Sequence, residues 1–496
     1  MATNETASSS AQDLPPILAA EPAVPAHTVD QLLAMSVEDA WHFCGESEPV
    51  FAALVGEVAL GIAKHRNWDP EDAEISKRMV LKLLGKLGPM FREDATDRFT
   101  LVVGKAVSST LEPSPMSAET VTAYNAVRQC NNKSTVCHAP STSMYFGRNG
   151  YVTACCYSRS NPLGKWPNET VSEIWFGPKI ERMRGQMQRN ILPIGCETCA
   201  DQLHAHNFKG LLAGNFDAFV PAPDDSKVSK LKAFFRKPEA VYPIRMEFEL
   251  SNKCNLECDM CSGVFSSSIR ANREGKPPLE QVYDSAFVEQ LKPFIPHLKQ
   301  AKFLGGEPFL IDIYYEIWEL FIQLNPECEI IITTNGTVFT NKVQRMLEHL
   351  NFKVVVSLDS VTKPTYEAIR RNATMERTLE NVERFSTILR ERGRTMAMAV
   401  CPMVLNRDEI PGLVAFANSK GMPIFFNTVT FPTTASLKYL PQAEQVRVVD
   451  AIRAGIGPAT NEIEAANFRA LRDLGQQVEL WSRGEQMDEV ETMVNA

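Results

Sequence analysis

From residue 243 to residue 428 the chain repeats one pattern, a short apolar or alternating run followed by an amphipathic stretch. The alternation in Pro243-Ile244-Arg245-Met246-Glu247-Phe248-Glu249-Leu250 predicts a strand. Further strands are predicted over 299–304, Glu329–Thr334, 353–358, 395–403 and 425–428. Helical periodicity fills the intervals, as over 311–324 and 340–350. Strands alternating with helices in this way predict an α/β fold, either a parallel barrel or an open parallel sheet. Upstream, Met144-Tyr145-Phe146 and Tyr151-Val152-Thr153-Ala154 flank Gly147-Arg148-Asn149-Gly150 and predict a β-hairpin. Residues 29–111 are helical in pattern, over 30–43, 48–65 and 72–87, with Thr28 and Ser47 placed as caps. Residues 1–26, rich in Ser, Ala and Pro, predict disorder. The stretch 218–241, with Pro221, Pro223 and Pro238, predicts a linker. Helices over 441–455 and 458–474 close the pattern, and no internal repeat is visible.

Composition narrows the class. A chain of 496 residues has room for two or three domains, and its hydrophobic content of 44% is that of a globular protein. No apolar run reaches bilayer length, so no membrane association is expected. The first residues lack the basic and apolar regions of a signal peptide, so a cytoplasmic location is expected. Twelve cysteines in a chain of this length then point to metal sites before disulfides. The net charge of −9 argues against a nucleic-acid partner, although the basic stretch 227–237 leaves a tRNA or a leader peptide open.

The chemistry concentrates at the predicted strand ends, where parallel α/β folds gather reactive groups. After the strand over 243–250 come Cys254, Cys258 and Cys261, spaced C-x3-C-x2-C. Gly305-Gly306-Glu307-Pro308 follows the second strand and Asn335-Gly336 the third, while Ser357-Leu358-Asp359-Ser360 ends the fourth. Three thiolates on one short loop leave one iron of a [4Fe-4S] cube open to a ligand. Taken alone, the trio also fits a three-thiolate zinc site completed by a distant His.

These motifs, together with Tyr366-Glu367-Ala368-Ile369-Arg370 and Asn406-Arg407-Asp408-Glu409-Ile410, resemble the radical SAM superfamily in identity and order. Met260 departs from the pattern, since an aromatic residue often precedes the last cysteine in that family. The resemblance implies a partial (β/α)6 parallel barrel whose cluster on Cys254, Cys258 and Cys261 binds S-adenosylmethionine. It also implies reductive cleavage of S-adenosylmethionine to a 5′-deoxyadenosyl radical that abstracts hydrogen from a substrate. Contacts to S-adenosylmethionine are expected from Gly305, Gly306, Glu307 and Pro308, from Asn335 and Ser357, and from Arg370 as partner of its carboxylate. A reductant such as flavodoxin or ferredoxin is an expected partner. A peptide or protein side chain is the favoured substrate, with a small metabolite as the alternative and a non-catalytic scaffold as the remote one. No catalytic residue on the substrate side is assigned.

Six more cysteines fall between 130 and 199. The predicted hairpin brings Cys137 and Cys155 together, and Cys196-Glu197-Thr198-Cys199 adds two more thiols. Four thiolates close one site, and spacing alone fits zinc as well as iron. The C-x12-G-x4-C pattern, Val171-Ser172-Glu173-Ile174-Trp175, Met183-Arg184 and Pro193-Ile194-Gly195-Cys196-Glu197-Thr198-Cys199 are similar to the SPASM and twitch modules of radical SAM enzymes. That likeness implies a second, auxiliary [4Fe-4S] cluster on Cys137, Cys155, Cys196 and Cys199 that assists electron transfer, although such modules usually follow the core. Cys156 reads as a packed residue, Cys130 as a candidate fifth ligand, and Cys44, Cys328 and Cys401 as buried residues, with Cys401 nearest the active mouth. His204 and His206 read as surface or outer-shell residues. The expected division is 1–27 disordered, 28–128 helical, 129–217 a small cysteine-rich α+β module, 218–241 linker, 242–435 core and 436–496 helical.

Overall fold

The computed structural model describes residues 115–484 other than 194, 209, 219, 221–240 and 430. The helices predicted within 29–111, Cys44 and nearly all of the expected linker lie outside these residues. The chain forms two compact units, Met1–Pro115 with Leu192–Glu197, and Met116–Ile191 with Thr198–Ala496. In the described part of the first, Gly195 has φ of 90° and its N–H meets the Glu197 carboxylate at 2.8 and 2.9 Å. Cys196 N–H donates to Pro193 O at 3.0 Å in the same turn.

The second unit is built on a single sheet. Its strands are β1 Ser143–Gly147, β2 Tyr151–Thr153, β3 Gly164–Lys165, β4 Arg245–Glu249, β5 Gln300–Phe303, β6 Glu329–Thr334, β7 Asn351–Ser357, β8 Ala397–Val400 and β9 Ile424–Phe426. Their order is β3-β2-β1-β4-β5-β6-β7-β8-β9. Strands β4 to β9 are parallel neighbours in sequence order, as the alternating pattern predicts. The predicted hairpin forms with Tyr145 opposite Thr153, and Gly150 takes φ of 84° at its turn.

The cysteine-rich segment is not freestanding. Strand β1 lies parallel to β4 in full register, from Ser143 opposite Arg245 to Gly147 opposite Glu249. The hairpin therefore extends the core sheet at an edge that an isolated core would leave unpaired. Trp175, fully buried, adds a tie by donating from Nε1 to Val241 O at 2.7 Å, just before β4 begins.

One face of the sheet carries Met144, Phe146, Met246, Phe248, Ala301, Phe303, Ile330, Ile332, Val354, Val356, Met398 and Val400, all buried. Helix α1 (Ser285–Gln290) sets Phe287 edge-on to Phe146, and helix α2 (Asp312–Leu324) sets Tyr314 and Trp318 edge-on to Phe303. Each buried aromatic of this kind contributes roughly 1.5–3 kcal/mol. Register places Tyr145, Glu247 and Lys302 on the opposite face, and Ser357, Ala399 and Phe425 further along it. That face is polar towards β1 and small or apolar towards β8 and β9.

Some boundaries differ from the sequence pattern. The strand expected over 395–403 ends at Val400, because Cys401 N–H turns to the Asp359 carboxylate at 2.7 Å and Met403 N–H to Asn406 Oδ1 at 2.7 Å. The last helix is one long element, Glu462–Ser482, started by Asn461 accepting from Glu464 N–H. Among the described residues no helix is long and apolar enough to cross a membrane.

Candidate active site

The loop after β4 is fixed by serine hydroxyls that follow it and by the segment after β7. Ser267 accepts from Cys254 N–H at 3.1 Å, and the hydroxyls of Ser267 and Ser268 donate to Cys254 O. Glu257 N–H and Asp259 N–H donate to Arg371 O and Ile369 O at 3.1 and 2.8 Å, which pins the loop to the segment after β7. Cys254, Cys258 and Cys261 all remain partly exposed. Burial pushes the Cys254 and Cys261 thiols up to about 12, with Glu307 and Cys258 adding to the first and Cys258 and Cys254 to the second. Burial also raises Cys258, where the Arg370 guanidinium works in the opposite direction. Three thiols that resist ionisation together are stabilised as thiolates by a cationic centre, so the donor set fits an iron cluster.

Gly305-Gly306-Glu307-Pro308 locks onto this loop. Gly306 N–H donates to Ser251 O at 3.1 Å and Glu307 N–H to Lys253 O at 2.8 Å. Gly305 has φ of 103°, and a Cβ there would sit 2.3 Å from Ser251 O. A Cβ on Gly306 would sit 2.3 Å from Lys253 O. Both glycines are thus required by backbone packing within the protein, beyond the ligand approach expected of them.

Glu307 is fully buried. Its carboxylate accepts from Thr334 Oγ1 at 2.9 Å, Asn335 N–H at 2.7 Å and Phe309 N–H at 3.1 Å, so it joins the ends of β5 and β6. Burial lifts its pKa to about 7 despite these donors. Asn335 directs Nδ2 to Asn255 Oδ1 at 3.0 Å and towards Cys254 Sγ at 4.0 Å. Ser357 ends β7 half-buried, on the same sheet face as Ala399.

Arg370 is buried, with Nη2 2.6 Å from Asp359 Oδ2 and Nη1 3.9 Å from Cys258 Sγ. Burial opposes its charge, yet Asp359 and Cys258 hold its pKa above the ordinary range. The sequence pattern sets Asp359 at a strand end and does not reveal this pairing. The available signal was an acid at a strand end followed by an arginine at the end of the next helix.

In the cysteine-rich segment, Cys137, Cys155 and Cys199 are each buried. Burial pushes Cys137 up to about 11 and Cys155 up to about 12, with the charge of Cys137 adding to the second. Cys199 is raised well above its ordinary value by burial and then by Cys137 and Cys155. Three of the four expected auxiliary ligands therefore share one charge neighbourhood. The fourth, Cys196, lies in the other compact unit. Cys156 is pushed up to about 12 by burial and then by Glu247, with Lys302 opposing. Cys130 groups with His138 and Asp217, their ligand atoms all within 4.8 Å of one another. Asp217 is already gripped by Arg128, at 3.0 Å from Nε and 2.6 Å from Nη2. His206 stacks on Phe208 with ring centroids 5.5 Å apart.

A polar network absent from the sequence reading joins the hairpin to β4. Glu249 accepts from Arg148 at 2.6 Å, from Arg159 at 3.1 Å and from the Tyr145 hydroxyl, which also accepts from Arg159 at 2.9 Å. Burial alone would raise Glu249, but Arg159 and Arg148 hold it below the usual carboxyl range. Its one sequence signal was a second acid, after Glu247, on the same face of β4.

A family model described as the radical SAM superfamily matches residues 248–417, and one described as an iron-sulfur cluster-binding domain, SPASM, matches residues 137–200. The chain carries a radical SAM domain preceded by a SPASM domain. Its radical SAM domain binds a [4Fe-4S] cluster with S-adenosylmethionine, and its SPASM domain binds auxiliary iron–sulfur. The GTP 3′,8-cyclase of Clostridium perfringens (strain SM101 / Type A) is 23% identical over 181 residues, 36% of this chain and 54% of that protein. Molybdenum cofactor biosynthesis protein 1 of Drosophila melanogaster is 28% identical over 190 residues, 36% of this chain and 31% of that protein. The chain spans about half the length of the GTP 3′,8-cyclases it matches. Among solved structures, native anSMEcpe with bound AdoMet aligns at 16% identity and TM-score 0.33, over 43% of this chain and 60% of that one. Streptococcus suis SuiB bound to precursor peptide SuiA aligns at 16% identity and TM-score 0.34, over 53% and 59%.

Proposed function

We propose that this protein cleaves S-adenosylmethionine reductively at the Cys254–Cys258–Cys261 loop and uses the resulting 5′-deoxyadenosyl radical to take hydrogen from a peptide or protein side chain. The observation that carries the reading is the interlock of the cysteine loop with Gly305-Gly306-Glu307-Pro308, through the bonds from Gly306 and Glu307 to Ser251 and Lys253. A cluster held by the three thiolates would supply the electron for cleavage. The chain's own residues then position S-adenosylmethionine. Ser357 and Asn335 stand at adjoining strand ends as hydrogen-bonding groups, and the Gly305-Gly306-Glu307-Pro308 turn lines the same end of β5. Arg370, which the resemblance assigns to the carboxylate of S-adenosylmethionine, is engaged by Asp359 beside Cys258. Cys137, Cys155 and Cys199 would be ligands of an auxiliary [4Fe-4S] cluster that exchanges an electron with the substrate radical.

The peptide reading draws support from exposed apolar side chains following β8 and around β9. Leu405, Phe425, Phe431 and Tyr439 are each more than a third exposed. The Met403–Ser436 bridge ties together the segments that carry them. Grouped exposed apolar residues suit a partner surface. The alternative is a nucleotide substrate, as the name of the GTP 3′,8-cyclase relatives suggests.

Anaerobic reconstitution, with iron counting and a 5′-deoxyadenosine assay under reduction, tests the chemistry. About eight irons per chain and steady release of 5′-deoxyadenosine are expected. Full iron without release would refute cleavage. Saturable binding of GTP, with deuterium passing from labelled GTP into 5′-deoxyadenosine, would replace the peptide reading with the nucleotide one.

A further inference from the structure

Arg370 differs from other arginines around the mouth in being sealed within the protein. Its guanidinium spans Asp359 and Cys258, and the position is 6% exposed. Asp359 is itself fully buried and fixed on its other side by Cys401 N–H, while its backbone carbonyl accepts from Asn406 Nδ2 at 2.7 Å. The acid is therefore a rigid anchor, and it turns one edge of the guanidinium onto a cysteine sulfur. The remaining donor, Arg370 Nε, is buried and meets no acceptor. A buried N–H without an acceptor is costly, so a guanidinium that keeps one while its Nη1 faces a cysteine sulfur is suited to an anionic group held there. Asn335 repeats the theme at the next cysteine, with Nδ2 4.0 Å from Cys254 Sγ.

We infer that the Asp359–Arg370 pair is a device for setting the reduction potential of the cluster held by Cys254, Cys258 and Cys261, with Arg370 acting on Cys258 and Asp359 limiting its charge. The inference rests on the proposed cluster site and gives Arg370 a role other than holding the carboxylate of S-adenosylmethionine. The physical ground is simple. Adding an electron makes the cluster more negative, and a cation or N–H donor at a ligand sulfur favours that reduced state. Arg370 therefore raises the potential. Asp359, by offsetting the guanidinium charge, lowers it. Arg370 is in this sense a positioning and tuning residue, and Asp359 acts through it.

The two partners must then shift the potential in opposite directions, which a purely structural role would not produce. The full-length chain is reconstituted anaerobically and titrated with dithionite. The EPR signal followed is the one that responds to S-adenosylmethionine and disappears in Cys258→Ser. In Arg370→Gln the reduced-to-oxidised ratio at fixed poise is expected to fall about tenfold, a shift of about 59 mV to more negative values for one electron. In Asp359→Asn the ratio should rise, and Arg370→Lys, which keeps the charge, should stay nearer the wild type than Arg370→Gln. Affinity for S-adenosylmethionine, read by equilibrium dialysis, should change by less than about threefold in Arg370→Gln. Shifts of the same sign in Arg370→Gln and Asp359→Asn would overturn the inference. So would an unmoved potential with lost S-adenosylmethionine binding, which would return Arg370 to the carboxylate. Should Arg370→Gln lose its iron, Asp359→Asn and Arg370→Lys decide, and a lowered ratio in both refutes the proposal. Absence of any S-adenosylmethionine-responsive signal in the wild type would instead remove the cluster site, and this inference with it.

Discussion

The two sets of cysteines solve the same problem in different ways. In the radical SAM core the three thiols lie within eight residues of one loop, partly exposed, and N–H donors from Asn335 and Arg370 face their sulfurs. In the SPASM segment Cys137, Cys155 and Cys199 come from distant positions and are buried. Cys137 and Cys155 flank a hairpin added to the core sheet, and Cys199 comes from a helix beyond it. A site that must admit a cosubstrate keeps an accessible loop and tunes it from the strand ends. A site suited to electron transfer alone can be sealed, because electrons need no entry path.

The sharpest way to break this comparison is to remove one set at a time. Replacing Cys254, Cys258 and Cys261 together by Ala should lower iron from about eight to about four per chain and cut 5′-deoxyadenosine release by at least about 1,000-fold. Replacing Cys137, Cys155 and Cys199 by Ala should remove a similar amount of iron yet leave release within about threefold. Loss of release in the second variant would show that the two sites do not work independently.

Next in size are changes to the supports. Arg128 holds Asp217 and donates to Thr135 O at 2.7 Å, two residues before Cys137. Arg128→Met leaves a buried carboxylate unpaired and should cost about 3–5 kcal/mol in urea denaturation. Auxiliary iron should then be the first lost to a chelator. Gly306→Ala pushes a methyl against Lys253 O and should cost about 1–3 kcal/mol, with iron lost from the core set instead. The last effect is a pH dependence. The folded chain holds the Glu307 proton up to about 7, above the ordinary carboxyl value of 4.5, chiefly through burial. The stability this gives is complete below the unfolded value and is lost as pH rises through about 7. Metal-free protein should therefore lose about 2–3 kcal/mol between pH 5 and pH 8, and Glu307→Gln should flatten that slope.

Much of the core was legible because its information is local. The alternation in 243–250 and the apolar runs after it announced β4 to β7 nearly to the residue, and each motif follows its strand directly. The ends of β8 and β9 were less legible, because they are decided by Asp359, Asn406 and Asn467 acting from elsewhere in the chain. Tyr145, Arg148, Arg159 and Glu249 were missed as a group for the same reason: Glu249 stands 90 to 104 residues from the other three and meets them only when β1 pairs with β4.

By itself, then, the sequence determined the α/β class, the cysteine loop, the order of the motifs at the strand ends and the hairpin, since each depends on residue type at short spacing. Only the tertiary structure decided that the SPASM hairpin continues the core sheet, that Gly305 and Gly306 are demanded by the backbone of the cysteine loop, and that Arg370 is shared between Asp359 and Cys258. Periodicity specifies which residues can form a strand and which face they bury. It carries no information about which edge that strand will meet, or which buried charge will find its partner there.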